Sequence, residues 1–138
     1  MAPESGYPAR VIDVSHNPQA AERLAACLSQ HPLEGRNLAV LAMLRDKDAD
    51  GYLSRVEEHV WGWFIATNPD PRGMQAEDLA AVVKSRGGRI LGVEADFRSA
   101  YRLALAGAET GDRVIACGSF ASARGALAVE AEIRTEAG

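Results

Sequence analysis

The sequence predicts an α/β domain of three layers, in which a mostly parallel sheet of five or six strands is flanked by helices. Two observations carry this. Five short apolar runs, Val11–Val14, Leu38–Leu44, Val60–Ala66, Ile90–Leu91 and Val114–Cys117, recur about every 22–30 residues. Most are near-continuous rather than alternating, the pattern of strands buried on both faces in a parallel sheet. Between them lie stretches of helical period, and strand alternating with helix at this spacing builds βαβ units.

The elements follow in order. Val11–Val14 is the first strand, and Pro18 suits the first turn of the helix behind it. Ala20, Ala21, Leu24, Ala25 and Leu28 form that helix's apolar stripe. Leu38–Leu44 and Val60–Ala66 are the next two strands, and Trp61, Trp63 and Phe64 are expected as core or helix-packing residues of the third. Pro69–Gly73 is a loop. A helix beginning near Gln75 is stopped by Gly87-Gly88. Phe97, Ala100, Tyr101 and Ala104 mark another helix, and Val114–Cys117 is the fifth strand. No repeat or low-complexity tract interrupts the pattern, so residues 10–138 form one domain. Residues 1–9 read as a linker remnant whose abrupt passage into a strand suits a domain cut from a longer protein.

Composition narrows the partners. The chain has 138 residues, 47% apolar and 25% charged, with a formal charge of −4 and no basic run. A domain of this size buries enough surface to need no disulfide or metal staple, and its charge pattern argues against nucleic acid and anionic membranes. No apolar stretch approaches the ~20 residues of a membrane span. Cys27 and Cys117 are expected as free, buried thiols in a reducing cytoplasm, and the domain is expected to be a monomer.

In a parallel sheet, ligands bind beyond the carboxyl ends of the strands. Those ends gather Asp13, Ser15, His16 and Asn17; then Arg45, Asp46, Lys47 and Asp48; then Asn68, Asp70 and Arg72; and lastly Gly118 and Ser119. Asp13 to Pro18 is the sharpest group: a carboxylate, an imidazole and an amide just before a helix N-terminus. Such a carboxylate can accept ribose hydroxyls while the helix end faces phosphate. Equally, Asn17 can cap the helix and His16 can be an ordinary loop residue. Gly118-Ser119-Phe120 opens the last helix, where a small residue permits close approach of a ligand to the backbone or simply a tight turn capped by Ser119.

A competing signal comes from Asp46 to Glu57, which satisfies the calcium-loop pattern D-x-[DN]-x-[DN]-G-x₅-E, with Asp46, Asp48, Asp50 and Glu57 as ligands. The pattern makes a calcium-binding interaction module the alternative of another class. Its context is wrong: Leu38–Leu44 is apolar on every side, unlike the amphipathic helix that precedes such a loop, and no second loop pairs with it. No phosphate-cradling G-x-x-x-x-G-K-[ST] or G-x-G-x-x-G occurs in the chain.

Four strings in order resemble one family. Residues Arg10 to Ala21 resemble the D-V-A-H-N-P-x-A-A segment of bifunctional folylpolyglutamate synthase/dihydrofolate synthases, a branch of the Mur ligase superfamily. Met43 to Asp48 resembles M-L-x-D-K-D, Pro71 to Leu79 resembles P-R-G-x-x-A-E-x-L, and Val114 to Phe120 resembles V-x-V-C-G-S-F. Ser15 stands where that family usually has Ala, and Ala121-Ser122-Ala123 departs from its usual continuation.

The resemblance implies a Rossmann-like C-terminal domain that closes over ATP and Mg²⁺ bound mainly by a separate central P-loop domain. The implied reaction joins L-glutamate to a pterin or folate acceptor through an acyl phosphate. It further implies that Asp13, His16 and Asn17 face the nucleotide and that Ser119 and Phe120 lie on the glutamate side. Asp46, Lys47, Asp48 and Arg72 become cleft-edge residues, with no metal held by this chain. A cell-wall Mur ligase joining an amino acid to a nucleotide precursor is the alternative within the same fold.

Overall fold

A computed structural model of the chain describes residues 8–137. Residues 1–7 of the segment read as a linker lie outside the described residues, and the first strand begins at Ala9. The element order is β1 (Ala9–Ile12), α1 (Pro18–Gln30), β2 (Asn37–Leu41), α2 (Ala49–Val56), β3 (Gly62–Ala66), α3 (Ala76–Ser85), β4 (Ile90–Glu94), α4 (Phe97–Gly107), β5 (Arg113–Cys117) and α5 (Phe120–Ala137). A single 3₁₀ turn, Glu57–His59, separates α2 from β3.

The five strands form one sheet in the order β1-β5-β2-β3-β4, and every ladder is parallel. Helices cover both faces. Ala21, Leu24 and Leu28 of α1, Tyr52, Leu53 and Val56 of α2, and Leu79 and Val83 of α3 bury one face against Ala39, Leu41, Trp63, Ile65 and Ile115. Phe97, Ala100, Tyr101 and Ala104 of α4 with Ala126 and Val129 of α5 bury the other against Leu38, Val40, Phe64, Val114 and Ala116. The architecture is a three-layer, Rossmann-like α/β/α sandwich. Among the described residues no helix is long and apolar enough to cross a membrane.

Burial follows position in the sheet. All residues of β3 and β5 are buried, as are Leu38–Leu41 of β2, so these three read as continuous apolar runs. β1 and β4 are edge strands. Ala9 and Arg10 are exposed, and in β4 exposed Leu91 and Val93 alternate with half-buried neighbours. Val11–Val14 is therefore apolar without being covered on both sides, and Val14 lies beyond the strand at 48% exposure. Trp61 also departs from expectation: it precedes β3, is 41% exposed, and packs against the guanidinium groups of Arg36 and Arg89. Cys27 lies on the exposed side of α1, whereas Cys117 is buried; both are free.

Helix ends are set by local chemistry. Asn17 caps α1 by accepting the Ala20 N–H at 2.8 Å, directly before Pro18. Asp48 caps α2 through the Gly51 N–H, and Asp96 caps α4 through the Ser99 N–H. Gly87, at φ +84°, ends α3 in the left-handed conformation where a side chain would be strained.

One buried ionic group fastens the first edge strand to the last helix. Glu130 of α5 is 6% exposed; it accepts two hydrogen bonds from Arg10 of β1 (2.9 and 2.8 Å) and one from the Tyr101 hydroxyl of α4 (2.6 Å). Burial pushes the carboxyl upward, but the bonds from Arg10 and Tyr101 outweigh it and hold it below its ordinary value of 4.5. A carboxylate depressed on folding stabilises the fold at pH values above 4.5, and that contribution is lost as pH falls through the lowered value. Glu130→Gln should therefore cost about 2 kcal/mol at neutral pH and flatten the acid limb of a melting-temperature profile. An acid limb unchanged in the variant would remove Glu130 from this role.

Candidate functional site

Because the sheet is all parallel, the carboxyl ends of its strands share one edge. α1 leaves β1 toward one face while α5 leaves β5, its neighbour, toward the other. A crevice opens where adjacent connections diverge in this way. The two loops at this point are stitched together. The Asp13 N–H donates to the Ala116 carbonyl at 2.9 Å, and the Gly118 N–H donates to the Ser15 carbonyl at 3.0 Å. The His16 and Phe120 rings lie with centroids 5.7 Å apart. Residues over a hundred positions apart thus form one surface.

Each expected residue has a definite place. One Asp13 carboxylate oxygen accepts the Ser15 N–H in a local turn, and the other has no hydrogen-bond partner among the described residues. The His16 Nδ1 lies 3.1 Å from the Val14 carbonyl. Asn17 is the cap of α1 described above, which commits its side-chain oxygen. Ser119 is 3% exposed; its hydroxyl pairs with the Ser122 hydroxyl at 3.0 Å and accepts the Ser122 N–H, so it serves the start of α5. Phe120, 60% exposed, is the part of that turn presented to the crevice. Gly118 has φ +101°, and a Cβ there would meet Leu41 Cδ1 at 2.6 Å and the Ala42 carbonyl oxygen at 2.7 Å. The glycine is required by packing against the end of β2, whatever approaches from solvent.

Ser15, read from sequence as a mild departure, has a structural partner. Its hydroxyl lies 2.7 Å from the Tyr52 hydroxyl, both buried beneath the crevice floor. Burial raises the Tyr52 hydroxyl well above its ordinary value and pushes the Cys117 thiol up to about 12, so neither acts as a nucleophile at neutral pH.

The second group stands on the turns after β2 and β3. Arg72 pairs with Asp46 and with Asp70, each at 3.4 Å, and the Arg45 N–H donates to the Arg72 carbonyl. A bridge between Leu44 and Gly73 ties the two turns. Lys47 has no ion-pair partner among the described residues. No hydrogen bond or ion pair joins Asp46, Lys47, Asp48 or Arg72 to Asp13, His16 or Phe120 among these residues.

The calcium pattern does not assemble. β2, a strand, leads into the segment, and residues 49–56 are helix. Asp48 caps that helix, Asp46 faces Arg72, and Asp50 and Glu57 both pair with Arg86, Glu57 at 2.9 and 2.8 Å. No group of three or more His, Cys, Asp or Glu among the described residues could hold a metal ion, so a divalent ion accompanying a nucleotide has no cage of side chains here.

Sequence reading missed a cavity of about 330 Å³ on the same edge. Thr67 and Pro69 after β3, Asp96 and Phe97 after β4, and Ala121 and Arg124 of α5 line it. Its residues come from three separated segments, and none belongs to a polar cluster in the linear chain.

An all-parallel α/β sandwich with polar groups gathered at its switch point is the architecture of a Rossmann-like ligand-binding domain. The chain belongs to the Mur ligase family, matching its glutamate ligase domain over residues 3–120. Among curated relatives, the Dihydrofolate synthase/folylpolyglutamate synthase of Escherichia coli is 40% identical over 119 residues, 84% of this chain and 26% of that protein. The Escherichia coli FolC structure in complex with DHPP and ADP superposes with a TM-score of 0.77 and 36% identity, covering 89% of this chain and 29% of that one. A bifunctional folylpolyglutamate synthase/dihydrofolate synthase with Mn, AMPPNP and L-glutamate bound gives 0.78 and 37%, covering 94% and 30%. The chain thus spans about a quarter of the length of the curated relatives it matches.

The Ser15–Tyr52 pair yields a test of how the crevice floor is built. Ser15→Ala and Tyr52→Phe should each cost about 1 kcal/mol in urea unfolding. The double variant should cost less than the sum, because both single changes delete the same bond. Additive costs would show that the hydroxyls are not coupled.

Proposed function

We propose that residues 10–138 are the nucleotide- and glutamate-facing domain of an ATP-dependent ligase that adds L-glutamate to a pterin or folate acceptor. The observation that carries this reading is the junction of the β1 and β5 loops, where the Asp13 N–H bonds the Ala116 carbonyl and the His16 and Phe120 rings lie side by side. It is supported by the family match and by neighbours described with ADP, AMPPNP and L-glutamate.

In the proposed reaction the ATP γ-phosphate passes to the acceptor's terminal carboxylate, giving an acyl phosphate and ADP. The glutamate amine then attacks the acyl carbon, the C–N bond forms, phosphate leaves and the amine gives up a proton. The free oxygen of Asp13 would accept ribose hydroxyls. The N-terminus of α1 and the uncommitted ammonium of Lys47 would place positive charge toward phosphate. Phe120 would supply an apolar wall on the glutamate side. Phosphate cradling and Mg²⁺ would come from a central P-loop domain that packs against this edge. The domain would work in the cytoplasm as part of a monomeric enzyme.

One charge-assisted hydrogen bond contributes about 1.5–3 kcal/mol, far below the ~8 kcal/mol of micromolar affinity. The isolated chain should therefore hydrolyse no ATP and bind Mg-ATP more weakly than micromolar in calorimetry; tighter binding would contradict this division of labour.

The residue-level test is a chimera in which residues 10–138 replace the matching domain of the Escherichia coli relative. There Asp13→Ala should raise the Michaelis constant for ATP about tenfold or more while leaving the fold intact. Asp50→Ala should leave kinetics unchanged, with or without a calcium chelator. Normal ATP dependence in Asp13→Ala would remove the nucleotide role.

A further inference from the structure

A cavity of about 460 Å³ opens at the edge of the sheet opposite the crevice, where the strands begin. The five residues of β5 separate the two edges, roughly 16 Å at ~3.3 Å per residue. The cavity is shaped by Leu33 after α1, by Arg36 before β2, by Glu58 and Trp61 before β3, and by Arg113, the first residue of β5. Its volume falls in the range of small-molecule sites.

Arg113 is the residue whose surroundings the fold leaves incomplete. It is 7% exposed. Its Nε donates to Asn37 Oδ1 at 2.9 Å and its Nη1 to the His31 carbonyl at 2.8 Å, while its buried Nη2 has no partner among the described residues. No carboxylate pairs with it among the described residues. The adjacent acid, Asp112, accepts from Arg36 Nη2 at 2.7 Å and from the backbone N–H groups of Arg36 and Glu109, and so is fully engaged. The His31 carbonyl, at the C-terminal end of α1, offers only a fraction of a negative charge. A buried guanidinium without a counter-charge is costly, and burial holds Arg113 below its ordinary pKa. Arg36, paired with Asp112, and the Trp61 ring stacked against it complete the same wall. Among the described residues the one acid lining the cavity is Glu58, whose side chain is 80% exposed.

We propose that this cavity is a second ligand site, in which the guanidinium of Arg113 receives the oxyanion of a small phosphate- or carboxylate-bearing molecule. The planar guanidinium fork matches both groups. A bound anion would supply the charge that Arg113 lacks, whereas Arg36 is already balanced by Asp112. Glu58, on the rim, would oppose binding and keep affinity moderate.

The test is ¹⁵N NMR titration of the 138-residue chain with inorganic phosphate and, separately, with succinate. Saturable shifts are expected at the Gly35 and Arg36 amides and the Trp61 indole N–H, with millimolar or tighter dissociation constants. A response to phosphate alone, or to succinate alone, would support the site and identify which group it takes. Arg113→Met should weaken binding at least tenfold. Because that variant could lose its fold, two milder changes carry the test independently. Glu58→Gln should tighten binding severalfold by removing the rim charge, and Leu33→Glu should abolish it by placing a carboxylate of the chain's own in the cavity. The proposal is overturned if neither probe gives saturable shifts at these residues, or if affinity is the same in Glu58→Gln and Leu33→Glu as in the parent.

Discussion

Everything at the crevice depends on β5 lying between β1 and β2. All five of its residues are buried, and it is hydrogen-bonded on both sides, register Ala9↔Arg113 to β1 and Asn37↔Arg113 to β2. Among the described residues β1 has no other partner strand. Remove β5 and β1, with the Asp13 loop at its end, has no ladder to join. The same insertion sends α5 to the face opposite α1, so the two helices diverge from neighbouring loops. Glu130 adds a second fastening on that side by drawing Arg10 of β1 and Tyr101 of α4 onto one carboxylate.

Much of the fold was legible in the sequence because burial imposes composition. β2, β3 and β5 are interior strands, and their uninterrupted apolar runs announce it. The edge strands were read less well. Val11–Val14 looks like an interior strand, yet β1 is half open and Val14 lies outside it. Ile90–Leu91 was too short a signal for the five-residue β4, whose Gly92 and exposed Leu91 and Val93 dilute the pattern. The strand order was not legible at all, since nothing local to Val114–Cys117 says that it inserts between the first two strands. Trp61 misled because an aromatic beside an apolar run reads as core, whereas two guanidinium groups satisfy it near the surface.

The candidate site was legible residue by residue but not as a geometry. Capping by Asn17 and by Ser119 is short-range chemistry, and sequence suffices to suggest it. The meeting of His16 with Phe120, and of Ser15 with Tyr52, is made by the sheet and has no local signature. The calcium string shows the converse error. Asp46, Asp48, Asp50 and Glu57 have the right spacing for a loop, but Ala49–Val56 coils into a helix and hands the carboxylates to Arg72, the Gly51 N–H and Arg86. Spacing predicts a ligand set only if the backbone between the ligands stays open.

The pairing of β1 with β5 also sets a timetable. Ala9 and Arg113 are partners across 104 residues (113 − 9). At ~5–20 residues per second a ribosome needs roughly 5–20 s to travel that distance. Through that interval the first strand has been made and β5, its neighbour in the sheet, has not. Helices α1 to α4 and strands β2 to β4 can begin to organise, while the Asp13 loop stays without a scaffold. The crevice thus takes shape only once β5 has been made. A nascent chain stalled before β5 would display the sequence of the crevice and none of its shape.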